Sequence, residues 1–401
     1  MSTLFSSVEL APRDPILGLT EAFNSDPRPG KVNLGVGVYT DEQGRIPLLE
    51  CVSAAERARL QAPSARGYMP IEGPAAYASH VQRLLFGADS EAVASGRSVT
   101  AEALGGTGAL RIGADLLKRI SPQATVMISE PSWENHQALF EAAGFKVRSY
   151  PYYDPATHGL DFPAMLAALN QAETGTVVVL HACCHNPTGV DLDPAQWRQI
   201  VDCVRQRNLV PFLDIAYQGF GEGLETDSAA VRLVAAAGID ALVASSFSKS
   251  FSLYGERVGA LTLLTGTRET AGRVLSQLKR AIRTNYSSPP THGGALVAAV
   301  LGSAELRALW ERELSAMRNR IRQMRDRLVD GLAQRRVATD FSFVRRQRGM
   351  FSYSGLTPGQ VERLREQHAI YAIGTGRICV AALNSGNVDV VCDAIAAVLK
   401  S

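Results

Sequence analysis

Between residues 125 and 264 the chain alternates short, almost wholly apolar runs with longer stretches whose apolar residues recur every three or four positions. The apolar runs at 125–129, 176–181, 209–214, 241–245 and 259–264 predict strands. Their nearly uniform apolarity is that of parallel strands covered on both faces. The intervening stretches predict helices. One opens at Asp193-Pro194, an N-cap followed by proline at the first helical position, and carries Trp197, Ile200, Val201 and Val204 on one face. Such alternation predicts an α/β domain with a mostly parallel sheet. Ligands of these sheets sit beyond the carboxyl ends of the strands, where Asn186, Asp214 and Lys249 fall.

From about residue 303 the pattern changes. Leu306, Leu309, Trp310, Leu314, Met317, Ile321, Met324 and Leu328 predict one long helix. Arg318, Arg320, Arg322, Arg325 and Arg327 fall mainly on its other faces and read as a solvated surface. A smaller domain follows, with strands expected near 351–353 and 377–380. A terminal helix holds Val388, Val391, Ile395 and Val398.

A chain of 401 residues is long enough for two domains. Its net charge of +2 gives no electrostatic case for nucleic-acid or membrane-surface binding. No apolar run reaches membrane-spanning length. The first ten residues lack a basic start followed by a long apolar stretch, so no secretory signal is read and the cytoplasm is the expected location. Six cysteines in this length do not outline a disulfide framework. His181-Ala-Cys-Cys-His185 is not read as a metal site, because adjacent cysteines do not easily turn both sulfurs to one ion. Cys51, Cys203, Cys379 and Cys392 are read as plain buried thiols.

Candidate chemistry centres on Lys249, in the string Ser246-Phe-Ser-Lys249 directly after an apolar run. Lysine is scarce here, six among 41 basic residues, so a lysine at a strand end stands out. With hydroxyls around it and Arg257 eight residues on, it has the makings of a Schiff-base site. The amine would condense with an aldehyde cofactor while hydroxyls and guanidinium hold a phosphate. The same residues also describe a serine-rich turn with one exposed lysine.

Four further segments bear on that choice. Leu104-Gly-Gly-Thr-Gly opens a helix, where glycines let backbone amides approach a phosphate; a plain turn has the same composition. His185-Asn-Pro-Thr-Gly189 is turn chemistry that also offers Asn186 as a hydrogen-bond donor. Asp214 lies in an apolar run, where burying a carboxylate is costly without a cation such as a protonated pyridine nitrogen. Tyr217 follows it three residues on. Arg377, between glycines and a strand, is a two-pronged carboxylate binder.

Taken with Pro131-Ser-Trp-Glu-Asn-His136, Cys183-Cys-His-Asn-Pro-Thr-Gly189 and Asp214-Ile-Ala-Tyr-Gln-Gly-Phe220, these strings resemble the class I, fold-type I pyridoxal-phosphate aminotransferases of the aspartate aminotransferase group. The likeness runs from Asp14-Pro-Ile16 to the closing helix and is strongest to the bacterial aromatic amino acid (tyrosine) aminotransferases. The resemblance implies an α/β fold with a mostly parallel seven-stranded sheet in a large domain, residues 48–316, and a smaller α/β domain made of 1–47 and 317–401. It implies pyridoxal 5'-phosphate on Lys249, which also shuttles the proton between Cα and the cofactor. Asp214 would pair with the pyridine nitrogen, Asn186 and Tyr217 with the ring oxygen, and Trp133 would stack on the ring. Gly106, Thr107, Ser246, Ser248 and Arg257 would hold the phosphate, joined by Tyr68 from the other subunit. Arg377, helped by the Gly37 amide, would clamp the substrate α-carboxylate, with Trp133 and Asn186 beside it. Arg283 from the neighbouring subunit would bind a distal carboxylate. Shared sites imply a homodimer.

Ser288, Ile46 and residues 347–353 resemble the aromatic branch. Thr40 stands where many aspartate-specific relatives carry a basic residue. The resulting expectation is an enzyme that takes tyrosine, phenylalanine and aspartate as donors and 2-oxoglutarate as acceptor. An aspartate-preferring enzyme with weak aromatic activity is the alternative.

Overall fold

The structure, a computed structural model, describes residues 4–11, 17–65 and 67–400. Asp14-Pro-Ile16 lies outside the described residues. Seven strands build the main sheet: β1 (Ser98–Leu104), β2 (Thr125–Glu130), β3 (Lys146–Pro151), β4 (Val177–His181), β5 (Val210–Ile215), β6 (Ala241–Ser246) and β7 (Val258–Leu264). Their order across the sheet is β1-β7-β6-β5-β4-β2-β3. The pairs from β6 through to β3 are parallel.

The five strands expected from apolar runs are present, with ends shifted by a residue. One expectation is corrected. β7 runs antiparallel to both neighbours, with Gly259 opposite Ser246 and Ala103. Uniform apolarity records burial on both faces, not strand direction. No helix intervenes between β6 and β7, so the chain turns back through residues 247–257 without a crossover. That returning loop carries both Lys249 and Arg257. The pattern also missed β1, which mixes Ser98, Thr100 and Glu102 with alanines, and β3, a largely exposed edge strand.

Helices cover the sheet. α1 (Gly105–Ile120) starts directly from β1 and buries Leu110, Ile112, Leu116 and Leu117. α2 (Glu134–Ala142) follows β2. α3 (Pro194–Arg207) begins as expected: the Asp193 carboxylate accepts from Ala195 and Gln196 amides, and the Gln196 side chain answers to the Asp193 amide. α4 (Arg268–Asn285) follows β7.

The long helix α5 (Ala304–Gln334) departs from the expected solvated arginine face: Arg318 and Arg320 are half-buried and donate to the Gly219 and Thr40 carbonyls, and Arg325 goes further. Arg325 is buried, 3% exposed, rather than on the solvated face. Its guanidinium donates to the Gly349 and Phe351 carbonyls at 2.7 and 2.6 Å. Gly349 lies in a bend and Phe351 starts a short strand, and a buried donor satisfies both oxygens. Trp310 of the same helix donates through its indole N–H to the Ser250 carbonyl at 2.7 Å, next to Lys249.

Segments from the N-terminal and C-terminal parts of the chain pair with each other. Val32–Asn33 pairs in parallel with Ile370–Tyr371, and Phe351–Tyr353 pairs antiparallel with Arg377–Cys379. The Leu34 carbonyl accepts from the Cys379 amide at 2.7 Å. The closing helix spans Val388–Lys400. No single helix among the described residues is long and apolar enough to cross a membrane.

Candidate active site

At the carboxyl ends of β4, β5 and β6 lies a cleft of about 240 Å³. Gly37, Gly106, Thr107, Trp133, Asn186, Asp214, Tyr217, Ser246, Ser248, Lys249, Arg257 and Arg377 all line it. Of the residues expected at the site, Tyr68 and Arg283 do not. Tyr68 is wholly exposed, and Arg283, in the last turn of α4, is exposed and donates to the Ser287 hydroxyl.

One end of the cleft suits a dianion. The N-terminus of the four-turn helix α1 opens there, with Gly105 in the left-handed region at φ +69°. A Cβ on Gly105 would stand 2.7 Å from the Arg257 guanidinium, so only glycine leaves this cradle open. Free amides, the helix dipole and a guanidinium all favour negative charge. Arg257 donates to the Ser248 hydroxyl at 3.5 Å, and the Ser246 and Ser248 hydroxyls lie 3.2 Å apart.

The floor suits a cationic ring nitrogen. Asp214 is buried in β5, and His136 of α2 meets its Oδ2 at 2.9 Å through Nε2. Burial pushes the Asp214 carboxyl up. The His136 hydrogen bond, helped by the Lys249 ammonium, outweighs it and holds the group below its usual range. An ionised Asp214 can only accept, so Nε2 of His136 carries the proton. Nδ1 is then free to accept from Ser132, 2.9 Å away. His181 lines the same floor with both ring nitrogens lacking a protein partner. Burial pulls its pKa down to about 3, so it stays neutral.

Lys249 reaches the centre, with Nζ over the Tyr217 ring at 5.0 Å from its centroid. Burial first, then Arg257 and Arg377, lower its pKa to about 8 against the pull of Asp214. A neutral amine, the nucleophilic form, is therefore accessible near physiological pH. Tyr217 is buried, which pushes its hydroxyl up. The loop beyond it is ordered by Asp227, which accepts from the amides of Gly219, Gly221 and Glu222.

The far wall suits a carboxylate. Arg377 is 1% exposed and packs its guanidinium over the Phe351 ring at 4.4 Å. It donates to the Gly35 carbonyl at 2.8 Å and the Asn186 amide oxygen at 3.2 Å, and its Nε has no protein partner. Its nearest carboxylate is Glu134, at 3.8 Å. Asn186 itself is placed by Asp191, which accepts from the Cys184 and His185 amides at 2.8 Å each. Gly37 packs so closely on Phe351 that a Cβ would stand 2.6 Å from the ring.

His136 and Glu134 stand in the Pro131–His136 string and Phe351 in the 347–353 string with no site task marked for any of them, and Tyr254 stands in none of the strings. His136 sits one helical turn from Trp133, a spacing that would have put both at the same end of α2. Nothing local marks Glu134, Tyr254 or Phe351, because their place in the cleft comes from chain segments far apart in sequence.

The family model for aminotransferase class I and II matches residues 29–395. The aspartate aminotransferase of Pseudomonas aeruginosa is 63% identical over 397 residues, covering 99% of this chain and 100% of that one. The aromatic-amino-acid aminotransferase of Escherichia coli is 50% identical over 397 residues, with the same coverage. Among solved structures, the aromatic-amino-acid aminotransferase of Burkholderia pseudomallei, covalently bound to pyridoxal phosphate, superposes with a TM-score of 0.98. It is 67% identical, covering 99% of this chain and 100% of that one.

Proposed function

The chain belongs to the class I and II aminotransferases, and from that premise we propose that it moves the amino group of tyrosine, phenylalanine and aspartate to 2-oxoglutarate. Its cofactor is pyridoxal 5'-phosphate. One observation carries the reading: a lysine with a lowered pKa, a paired buried carboxylate, a dianion cradle and a buried arginine converge on one cleft. Those four features match the cofactor's aldehyde, ring nitrogen and phosphate and the substrate's carboxylate.

We assign the residues accordingly. Gly106, Thr107, Ser246, Ser248 and Arg257 hold the phosphate, and Trp133 covers the ring. Asp214, kept ionised by His136, holds the ring nitrogen protonated. Asn186 and Tyr217 bond the ring oxygen. When bound, the cofactor supplies the electron sink that stabilises negative charge at the substrate Cα. Arg377, with the Gly37 amide, fixes the α-carboxylate and so sets which Cα bond faces Lys249. Lys249 Nζ, once neutral, takes the Cα proton and passes it on. Residues 48–316 form the cofactor-binding domain, and 1–47 with 317–401 form the domain that closes over the substrate.

We further propose a homodimer with shared sites. Supporting it, Tyr68 and Arg283 are exposed and outside their own chain's cleft, and Leu4, Phe5, Val8 and Leu10 of the N-terminal arm stand 71–99% exposed. The partner's copies of Tyr68 and Arg283 would complete the phosphate and distal-carboxylate ends. Hybrids test this directly. Mixing inactive Lys249→Ala subunits with aspartate-impaired Arg283→Ala subunits leaves one intact site per mixed dimer, and aspartate activity reappears. Its failure to reappear counts against shared sites. All six cysteines are free and buried, which fits the cytoplasm, where thiols stay reduced.

Relatives named for aspartate and for aromatic amino acids are both close, which supports the dual range. Steady-state kinetics with tyrosine, phenylalanine and aspartate tests it. A kcat/KM for aspartate far above both aromatics would leave an aspartate-preferring enzyme instead.

A further inference from the structure

Resting on the assignment of Gly37 and Arg377 to the substrate, we propose that the Tyr254 hydroxyl is a positioning residue. It clasps the substrate-binding strap, residues 34–40, onto the loop that bears Lys249.

The strap belongs structurally to the C-terminal part of the chain. The Leu34 carbonyl accepts from the Cys379 amide at 2.7 Å, and the Thr40 amide donates to the Ala381 carbonyl at 3.1 Å. The Gly35 carbonyl accepts from Arg377, and Arg320 donates to the Thr40 carbonyl at 2.7 Å. Left to those bonds, the strap would move with residues 377–381 and independently of Lys249.

Tyr254 crosses that divide. It stands between Lys249 and Arg257 in the β6–β7 loop and lines the cleft beside Gly37. Its hydroxyl oxygen accepts from the backbone amide of Tyr39 at 3.0 Å, joining residues 215 positions apart. Tyr39 is itself held: it is buried, and Arg320 packs over its ring at 5.3 Å. The base of Tyr254 is held as well, since Arg257 donates to its carbonyl at 2.9 Å. A rigid phenol thus spans two anchored backbones. It holds the wall that grips the substrate in its binding position against the loop that carries Lys249. The hydrogen bond is worth having because the alternative is an amide in a half-buried site with no acceptor.

The test is Tyr254→Phe in the holoenzyme, which keeps the ring and deletes the acceptor. Ser252→Ala serves as comparison, because Ser252 donates to the Pro47 carbonyl at 2.6 Å and so breaks a neighbouring tie outside the strap. In Tyr254→Phe, amide hydrogen exchange over residues 36–40 is expected to quicken about fivefold or more, and KM for donor and acceptor to rise by a similar factor. kcat at saturation and borohydride-fixed cofactor on Lys249 stay within about twofold, the signature of lost uniform binding. Ser252→Ala changes neither exchange at 36–40 nor KM. Unchanged exchange in Tyr254→Phe overturns the proposal, as does an equal effect in Ser252→Ala. Faster exchange with an unchanged KM overturns its functional half together with the role given to Gly37. Loss of fixed cofactor from the wild-type sample would instead strike at the aminotransferase reading itself.

Discussion

His136 and Asp214 are joined at 2.9 Å in the floor of the cleft, from two different elements, α2 and β5. His136→Leu removes the donor that holds the buried carboxylate ionised. A hydrogen bond to a charged buried group contributes roughly 1.5–3 kcal/mol, so cofactor retention on dialysis and kcat should each fall by about tenfold or more. Absorbance of retained cofactor and steady-state rates measure this. A variant that keeps both at wild-type values would show that Asp214 needs no help from His136.

Lys249 titrates near 8 in this site rather than at 10.5, because burial and two guanidinium groups disfavour its charge. Its neutral form attacks the cofactor aldehyde, and that form grows as pH rises through the folded pKa. The rate of cofactor uptake by the apoenzyme should therefore climb between about pH 7 and 9 and then level. A climb that continues unchanged past pH 10 would mean an ordinary lysine. Lys249→Ala should abolish turnover and leave no borohydride-fixed label.

The 3.8 Å approach of Glu134 to Arg377 sets a carboxylate beside the group assigned to the substrate's own. Glu134→Gln should lower KM for donors and 2-oxoglutarate by about twofold, a modest effect because Glu134 is partly exposed. Arg377→Lys should raise KM far more, about a hundredfold, because an ammonium lacks the two-pronged geometry. Binding of a non-reactive dicarboxylate, followed by absorbance, reads both. Tighter binding in Arg377→Lys would rule out the clamp.

Away from the cleft, Glu102 of β1 is 2% exposed, and burial raises its pKa to about 7. Tyr77 and Tyr286 face it, and neither supplies a positive charge. The folded state thus binds the proton more tightly than the unfolded chain, whose carboxyl titrates near 4.5. Stability from this group is lost as pH rises from about 4.5 to 7, and the penalty is full above that. Glu102→Gln should stabilise the protein at pH 8 by on the order of 2 kcal/mol and leave it little changed at pH 4.5. Urea midpoints at the two pH values decide it; an equal shift at both would exclude the titration.

What the sequence disclosed follows from where each signal resides. Strands β4, β5 and β6 were legible because each is apolar throughout, and Asp214, Lys249 and Asn186 were legible because they sit at or just past their ends. The start of α3 was legible because Asp193 and Pro194 mark an N-cap and a first helical position side by side. β7's direction was not, since pairing partners leave no mark in an apolar run. Arg325 misled because its burial depends on carbonyls of residues 349 and 351, remote from its own helix. Tyr254 escaped notice for the same reason: its partner amide lies on the other side of the cleft, at residue 39.

The pairing of residues 32–33 with 370–371 sets an order of assembly. Strands β1 to β7 and the Lys249 loop are complete in sequence by residue 264, whereas Val32–Asn33 must await Ile370–Tyr371. A polypeptide emerging from the ribosome therefore already holds all the residues we assign within one chain to the cofactor's phosphate and ring while its substrate wall is still unmade. A later stretch of chain, carrying Arg377, then adds the wall that we assign to the substrate's carboxylate.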